Sequence, residues 1–441
     1  MEGIVGENYE IMKATPILKK KEGLRFLICI NIVAAAVLIG FQMTPLLERT
    51  TSNYVILPIW GFWAVTTIFV PHANIRIFSY RYLIWWLVYT AWVFLMFAIG
   101  HSNEPMTKLV AQLPFYSIPI MMAVVIRCYN FKEKRTLWFA ILVIFLYNLG
   151  DNLLLSSQDI EIYDRIGEYL ADSTWDTNAG STTHNVQCLF MCAIFWYISQ
   201  NTNYKLVKIL SIVFLIMSSY YILFINNRTI SLMTWLYMIG MFFLTIRKGY
   251  RFKSMSSLLK SSIVILLIVI IFAAPLIEIL LSVFADSDRM SGRLEQLLSF
   301  SSNHSVNSGD SDLYARYILW LTSIQTFFSS IPNFLVGVGE DVHQGDVMGL
   351  VRSGVGYHSE FFDLAAKYGI IGVIMVTSFL KHLFSFLRKL CGSDKEITML
   401  NIILMGFILY SFFNCPFRGS IFFVLFIFMP LTIQLVRFHK I

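Results

Sequence analysis

The chain has 441 residues, of which 57% are hydrophobic and 14% are charged, and its formal net charge is +7. Soluble domains carry about a quarter charged residues, so this composition excludes an ordinary soluble protein and indicates an integral membrane protein. The positive surplus fits the loops of a membrane protein better than a basic patch, so we expect no nucleic-acid partner.

Long apolar segments follow one another along most of the chain. A hydrocarbon core of about 30 Å needs about 20 apolar residues in a helix, and this template predicts an all-α integral membrane protein with about twelve transmembrane helices. Pro114 and Pro119 fall in the fourth span and are expected to kink it. The predicted spans are about 25–43, 54–71, 82–100, 109–127, 136–154, 184–200, 206–224, 229–246, 259–283, 368–387, 397–414 and 419–436.

Lysine and arginine residues are concentrated in alternate short loops, for example at Lys19 before the first span and Arg247 after the eighth. Cytoplasmic loops carry such an excess of basic residues, so the pattern predicts cytoplasmic N- and C-termini. The basic run before the first span leads into an apolar segment with no small-residue cleavage site after it. We therefore interpret the first span as a retained anchor.

One long segment interrupts the series of spans. The predicted organisation places spans one to nine in residues 1–283, an external loop with short amphipathic helices at 284–367, and spans ten to twelve in 368–441. A loop of this length is more often functional than idle. Apolar residues recur at helical spacing over 312–328, which predicts an amphipathic helix that lies on the bilayer or caps the bundle.

Three arginines are candidates for binding an anion. Arg228 ends Ile-Asn-Asn-Arg between the seventh and eighth spans; it either snorkels to the interface or forms an anion site at the membrane surface. Arg316 shares one side of the predicted helix with Asp312 and Ser323, and is either a solvated residue or a ligand. Arg293, in Ser-Gly-Arg, is a further candidate for substrate binding.

The rest of the loop offers two glycines and a histidine. Gly337 and Gly339, in Val-Gly-Val-Gly-Glu, permit either a close approach of the backbone to a ligand or a turn with positive φ. His358 is either structural or a base near neutral pH. Ser359 and Glu360 can start a helix, and Glu360 can also orient the imidazole or bind substrate.

No pattern predicts a metal site or another cofactor. The eight histidines include no HxxxH or HExxH pairing, and no Lys-Ser or Lys-Thr follows the glycine pair.

These motifs occur in a defined order. Asn-Asn-Arg-Thr opens a span, and a long loop follows with Arg316-x-x-x-Trp320, then Gly-Val-Gly, then His-Ser-x-Phe, Lys-Tyr-Gly-Ile-Ile-Gly and a span. This order, over 226–240 and 312–375, resembles the O-antigen ligase and polymerase superfamily of bacterial envelope polysaccharide assembly. The functional residues of that family correspond to Arg228, Arg316 and His358. The family usually has Asn after the histidine, where this chain has Ser359.

The resemblance implies a glycosyltransferase in the bacterial inner membrane, with its active site on the periplasmic or external side. Its donor is an oligosaccharide linked through pyrophosphate to a polyprenyl membrane lipid, and a chain-length regulator protein is a candidate partner. The two arginines, Arg228 and Arg316, stabilise the pyrophosphate, and His358 accepts the proton of the attacking hydroxyl group, without a metal. We expect these three residues to converge in one cavity open to the external face.

Several functions remain open at this point. We predict first a polysaccharide polymerase, which transfers the glycan onto a lipid-linked repeat unit. One alternative is a ligase of the same superfamily, which passes the glycan to lipid A-core or another acceptor. Another is a flippase for the lipid-linked sugar, although the chain has no internal repeat of the kind that transporters often show. A membrane scaffold without chemistry is the last alternative.

Overall fold

The fold consists of helices, and the part of the chain that the structure describes contains no strand. This finding agrees with the predicted all-α class. The computed structural model describes residues 25–41, 43, 49–70, 80–99, 119–158, 182–225, 229–247, 260, 264, 312–339, 355–356, 359–414 and 419–438.

Helices occupy the predicted spans wherever the structure describes them. The described residues include two π-helical turns. Tyr221–Ile225 extends α7, and Val424–Phe428 joins α13 to α14 in what we call the C-terminal helix. In chain order the helices are α1 (Arg25–Phe41), α2 (Arg49–Thr67), α3 (Arg81–Ala98), α4 (Pro119–Cys128), α5 (Phe131–Gln158), α6 (Thr182–Asn201), α7 (Lys205–Tyr220), α8 (Thr229–Arg247), α9 (Asp312–Phe328), α10 (Ile331–Val336), α11 (Glu360–Arg388), α12 (Asp394–Phe413), α13 (Gly419–Phe423) and α14 (Met429–Arg437).

Within the described residues, 4 helices are long and apolar enough to cross a membrane. They are α3, α7 with the start of its π turn, α11 and α12. Shorter apolar helices lie in other predicted spans. The ninth predicted span, 259–283, lies outside the described residues except at 260 and 264, and so does Pro114. The expected number of about twelve spans stays a prediction.

The C-terminal helix lies at the centre of the packing. Nearly all of its side chains from 421 to 436 are buried, as expected for a helix that is apolar on all sides. On α5, the Trp138 ring stacks on Phe428 with centroids 5.5 Å apart, and its Nε1 donates to Thr432 Oγ1 at 2.8 Å. From α12, Phe407 contacts Phe422 at 6.4 Å between centroids. These contacts fix α5 and α12 around the C-terminal helix.

Side-chain contacts define the direction of α6, α8 and α12. Phe190 on α6 lies against Phe407 on α12, and Trp196, farther along α6, stacks on Phe242 near the end of α8. Gly406 on α12 lies against Met238 on α8. Helices α6 and α8 therefore run parallel. Tyr197, near the end of α6, interacts electrostatically with Glu396 in the first turn of α12, so α12 runs antiparallel to both. The start of α8 and the end of α12 consequently lie at the same end of the bundle.

Helix α11 is broken at Gly369. The φ of this residue is 60° and its ψ is −166°, a conformation that essentially only glycine adopts. The predicted tenth span starts at residue 368, and its apolar helix in the structure continues from this break. Along that part of α11, Phe379 packs against Trp86 of α3 with ring centroids 5.2 Å apart. The break therefore separates a short first segment from a membrane-length second segment.

Residues 337–339 after α10 form a turn, which we call the glycine turn. It hydrogen-bonds to the backbone of α11 next to the break. The Val338 amide N–H donates to the Ala366 carbonyl at 2.9 Å, and the Gly339 N–H donates to the Lys367 carbonyl at 2.8 Å. A continuous helix would use these carbonyls in its own i→i−4 bonds, and buried carbonyls need donors. A Cβ at Gly337 would overlap the backbone of Lys367, and one at Gly369 would overlap that of Leu335. Glycine on both sides lets the two backbones meet.

Substitution of Gly337 by alanine tests this contact. Gly337 has a φ of 77°, so Gly337→Ala adds backbone strain to the overlap and should cost roughly 2–4 kcal/mol of stability. The measurement is the melting temperature of the purified protein in detergent.

Gly61→Ala is the matched control, because Gly61 lies inside α2 and a Cβ there meets nothing within 4 Å. The control should be neutral or stabilise α2 by about 0.5–1 kcal/mol. Equal melting temperatures for the two variants would contradict the proposed backbone contact.

Candidate functional site

Helix α9 packs on α11 through its small side chains. Leu319, Thr322, Ser323 and Thr326 are buried, whereas the side chain of Phe328 is 68% exposed. The sequence suggested that the apolar side of this helix would lie on the bilayer or on the bundle. In the structure the bundle contact uses the small, mostly polar side, and the aromatic side stays open.

Asp363 connects α9 to the start of α11. Its Oδ1 accepts a hydrogen bond from Ser323 Oγ at 2.6 Å, and its Oδ2 accepts from the Ser359 backbone N–H at 2.9 Å. Ser323 Oγ in turn accepts from the Gly356 N–H at 2.9 Å. Asp363 is 4% exposed, and Ser323 and Ser359 are fully buried. The carboxylate is thus held by neutral donors, which a buried charge requires.

The same network fixes both sides of the segment that contains His358. On one side, Gly356 lies so close to the Leu319 backbone that a Cβ would overlap it. On the other side, Ser359 Oγ accepts from the Phe362 N–H at 3.4 Å and donates to the Ser411 carbonyl at 3.5 Å. Residues 357–358 lie outside the described residues, but the positions of their neighbours against α9 and α12 are defined.

The prediction that Ser359 and Glu360 start a helix is confirmed. Ser359 is the N-cap of α11, and Glu360 and Asp363 provide negative charge in its first turn, where it interacts favourably with the helix dipole. The Glu360 N–H donates to the carbonyl of Asn414, just beyond α12, at 3.1 Å. The start of α11 and the end of α12 therefore lie side by side.

An apolar groove opens next to this junction. Its volume is about 380 Å³, and Trp320 forms part of its wall, with the Trp320 ring 5.2 Å from that of Phe413 and 6.5 Å from that of Phe362. The groove is lined by Trp320, Leu321, Ile324, Phe362, Leu409, Phe412 and Phe413. It runs between α9, α11 and α12, on the open side of α9.

The structure describes some of the site residues that the sequence predicts and not others. Arg228, Arg293 and His358 lie outside the described residues. Arg316 lies on α9, where the structure describes its backbone alone. Glu360 is partly buried at the first position of α11. The expected convergence of Arg228, Arg316 and His358 therefore stays a prediction.

The described neighbours of these three residues share one end of the bundle. Thr229, which follows Arg228, starts α8 at the end where α12 finishes. Leu319, three positions after Arg316 in the chain, contacts Gly356, two positions before His358. Trp320 on α9 and Ser359 before α11 both contact the last turns of α12.

Of the two explanations for Gly337 and Gly339, the structure shows positive φ, at 77° in both residues. The close approach that they permit is made to the backbone of α11. A role of either glycine in substrate binding stays a prediction, and the contact with α11 explains the glycine pair without a ligand.

Sequence reasoning missed Asp363, Gly356 and Gly369 as organising residues. A weak signal for Asp363 was present, because Ser359 begins the helix and an acidic side chain four residues later can reach back to its N–H. The partner Ser323 comes from a distant part of the chain. Its burial against Asp363 has no sequence signature.

Among the described residues, no group of three or more His, Cys, Asp or Glu side chains can hold a metal ion. The chain matches no known family model and no curated protein sequence.

Truncation of Asp363 tests the network that holds the site together. Asp363→Ala leaves the Ser323 hydroxyl and the Ser359 N–H without their partner, and each buried unsatisfied group costs about 1–3 kcal/mol. We expect a lower melting temperature than for Ser323→Ala. The double variant should show a coupling energy of at least about 0.5 kcal/mol, because the two side chains are in direct contact.

Ser385→Ala serves as the control, since Ser385 is exposed on the same helix and such a substitution changes stability by less than about 0.5 kcal/mol. Strictly additive effects of the Asp363 and Ser323 substitutions would show that the hydrogen bond does not link α9 to α11.

Proposed function

We propose that this protein is a membrane glycosyltransferase of the polysaccharide polymerase type. It transfers a polyprenyl-pyrophosphate-linked glycan onto a lipid-linked repeat unit. The observation that carries the proposal is the clustering at one end of the bundle. Helix α9, which bears Arg316, contacts Gly356 and Asp363 on either side of His358, and the residue after Arg228 starts α8 at the same end.

The proposed reaction is a displacement at the anomeric carbon of the donor glycan. An acceptor hydroxyl oxygen attacks this carbon, the bond to the pyrophosphate oxygen breaks, and the lipid pyrophosphate leaves with the electron pair. His358 takes the hydroxyl proton as a general base. Arg228 and Arg316 stabilise the charge that develops on the pyrophosphate, because a guanidinium group stays charged and matches phosphate oxygens. Arg293 and Glu360 are proposed contacts to the sugars.

The apolar groove supports a lipid-linked donor. It is lined by aromatic and aliphatic side chains of α9, α11 and α12, and it adjoins the N-cap of α11. Grooves between helices that are mostly apolar, with a few polar groups at one end, are typical ligand sites. We propose that the first isoprene units of the donor lie against Trp320 and Phe412, which brings the pyrophosphate towards Arg316 and His358.

The proposal includes a topology with about twelve spans in a bacterial inner membrane, cytoplasmic termini and an external site. Residues from several predicted cytoplasmic segments meet at the end of the bundle opposite the site. Tyr80 contacts Phe386 with ring centroids 5.1 Å apart, Phe131 contacts Phe438 at 4.8 Å, and Arg437 pairs with Glu396. This grouping supports the alternation that the basic residues predict.

The test is incubation of the purified protein with purified lipid-linked repeat unit alone. We expect a ladder of longer lipid-linked chains, and His358→Ala, Arg316→Ala and Arg228→Ala should each lower the rate by about 10²–10³. Arg135→Ala provides the control, because Arg135 is exposed at the opposite end and its loss should leave the rate unchanged.

The outcomes separate the alternatives. Product that forms only after another acceptor is added would assign a ligase. Movement of the lipid across reconstituted vesicles with no new glycosidic bond would overturn the transferase proposal in favour of a flippase.

The groove has its own test. Phe412→Ala should raise KM for a substrate with a full-length polyprenyl chain by about tenfold, since each buried CH₂ group contributes about 0.8 kcal/mol. KM for an analogue that carries a methyl group in place of the whole prenyl chain should not change, and neither should kcat. Phe139→Ala, which truncates an exposed phenylalanine on α5, is the control. An equal increase of KM for both substrates would exclude the groove as the binding site of the lipid chain.

A further inference from the structure

Residues 317–339 contain no charged side chain, although they lie inside the segment that the sequence assigns to an external loop. This stretch holds α9 from its second turn onwards, the short α10 and the glycine turn. The part of α9 over Ile318–Phe328 is an apolar helical segment. A stretch of this length in water usually includes several charged residues, so its composition is closer to that of a segment in contact with lipid.

Helix α9 runs in the same direction as the first segment of α11. The Leu319 backbone lies against Gly356, which precedes α11, and one turn later Ser323 donates to Asp363 in the first turn of α11. The glycine turn after α10 then contacts the break at Gly369. From the site end of the bundle, α9 and α10 therefore follow α11 down to its break, which lies about 13 Å of helix below the start of α11.

The break also marks the start of the membrane-length part of α11. Residues 370–388 continue the helix to its end and rise about 28 Å, and the hydrocarbon core of a bilayer is about 30 Å thick. The sequence has no charged residue between Lys367 and Lys381. A span formed by this part of α11 places Gly369 at one boundary of the hydrocarbon core. The end of α9 and the whole of α10 then lie at the same boundary.

The side chains at this level form an apolar cluster, most of which is exposed. The rings of Phe327, Phe328 and Phe334 contact one another, with centroids 4.8 to 6.3 Å apart. Ile331, at the start of α10, is 77% exposed, and Leu335 is exposed as well. We call these five residues the tip cluster. Exposed apolar side chains that lie together mark a contact with a partner or with a membrane.

The turn between α9 and α10 satisfies its own polar groups. Ser329 Oγ donates to the Thr326 carbonyl at 2.7 Å and accepts from Asn333 Nδ2 at 2.8 Å. Ser330 caps α10, because its Oγ accepts from the Asn333 N–H at 3.2 Å. Pro332, in the first turn of α10, has no N–H that needs a partner. Polar groups at membrane depth need such partners inside the protein, because lipid supplies none. The turn is therefore suited to contact with lipid.

We propose that the tip cluster is embedded among the acyl chains of one membrane leaflet, so that α9 and α10 form a re-entrant element instead of part of a loop in water. The chain descends along α9 to the tip cluster and is back at the site end at Gly356. Elements that insert at this boundary bury their apolar side by about 5–10 Å. The proposal requires only that α11 crosses the membrane, and it is independent of glycosyl transfer.

The re-entrant element also determines where the apolar groove opens. Trp320 and Ile324 line the groove, and Phe328 follows them at the same four-residue interval, so all three lie on one side of α9. The groove and the tip cluster therefore form one continuous apolar surface. A lipid chain in the leaflet reaches the groove along this surface without passing through water.

The depth of the tip cluster is measured by fluorescence quenching in vesicles of phosphatidylethanolamine and phosphatidylglycerol. A fluorescent amino acid takes the place of Phe328 in the full-length protein. Two quenchers are compared: iodide on both sides of the membrane, and phospholipid with a nitroxide group near the top of its acyl chains. The lipid quencher should reduce the fluorescence at least about twofold more than iodide does, because insertion shields the position from water.

Two exposed phenylalanines are the matched controls. Phe139, inside the predicted span 136–154, should show the same preference for the lipid quencher. Phe131, which is exposed outside the predicted spans, should be quenched more by iodide than position 328 is. Ile331 is the second test position, because its replacement leaves the three rings of the tip cluster intact, and it should behave like position 328.

Two outcomes would overturn the proposal. In the first, iodide quenches positions 328 and 331 as strongly as position 131, which would place the tip cluster in water. In the second, both quenchers act weakly until the protein is diluted in excess lipid, which would show that a second copy of the chain covers this surface.

Discussion

The arrangement at the candidate site depends on the contact between the glycine turn and the break in α11. The break at Gly369 leaves two carbonyl groups without their helical partners. They accept hydrogen bonds from the N–H groups of Val338 and Gly339. The contact lies among buried residues, and buried carbonyl groups need hydrogen-bond donors. The contact fixes α10 against α11, and through α10 it positions α9. Removing this contact would release the helix that carries Arg316.

Helix α9 packs on α11 through its small polar side chains. Small side chains such as Ser323 and Thr326 face α11, while Trp320 and Phe328 stay on the open side. Small residues let two helices approach closely and hydrogen-bond, as Ser323 does with Asp363. The polar side of α9 therefore makes the tertiary contact and its aromatic side forms one wall of the groove, whereas the opposite arrangement is usual for an amphipathic helix in water.

Charged side chains have different kinds of partner at the two ends of the bundle. At the site end, the buried Asp363 is held by a hydroxyl group and a backbone N–H in the first turn of α11, where the helix dipole also favours a negative charge. At the opposite end, Arg437 is paired with Glu396, while Arg127 contacts the Tyr80 hydroxyl group and the Phe386 ring. This distribution gives the proposed external end a rigid frame on both sides of the segment that contains His358.

The sequence by itself determined the helical class, the approximate positions of the apolar helices in the predicted spans and the helix start at Ser359. These features depend on local apolar length and on residues within one turn of each other, so a single segment contains the whole signal. Only the tertiary structure decided that Gly337 meets the break at Gly369, that Ser323 is buried against Asp363 and that Arg127 meets Tyr80 and Phe386. Each of these contacts joins segments far apart in the chain. The choice of partner follows from packing and from the need to satisfy buried polar groups, and neither can be read from the spacing of residues along one helix.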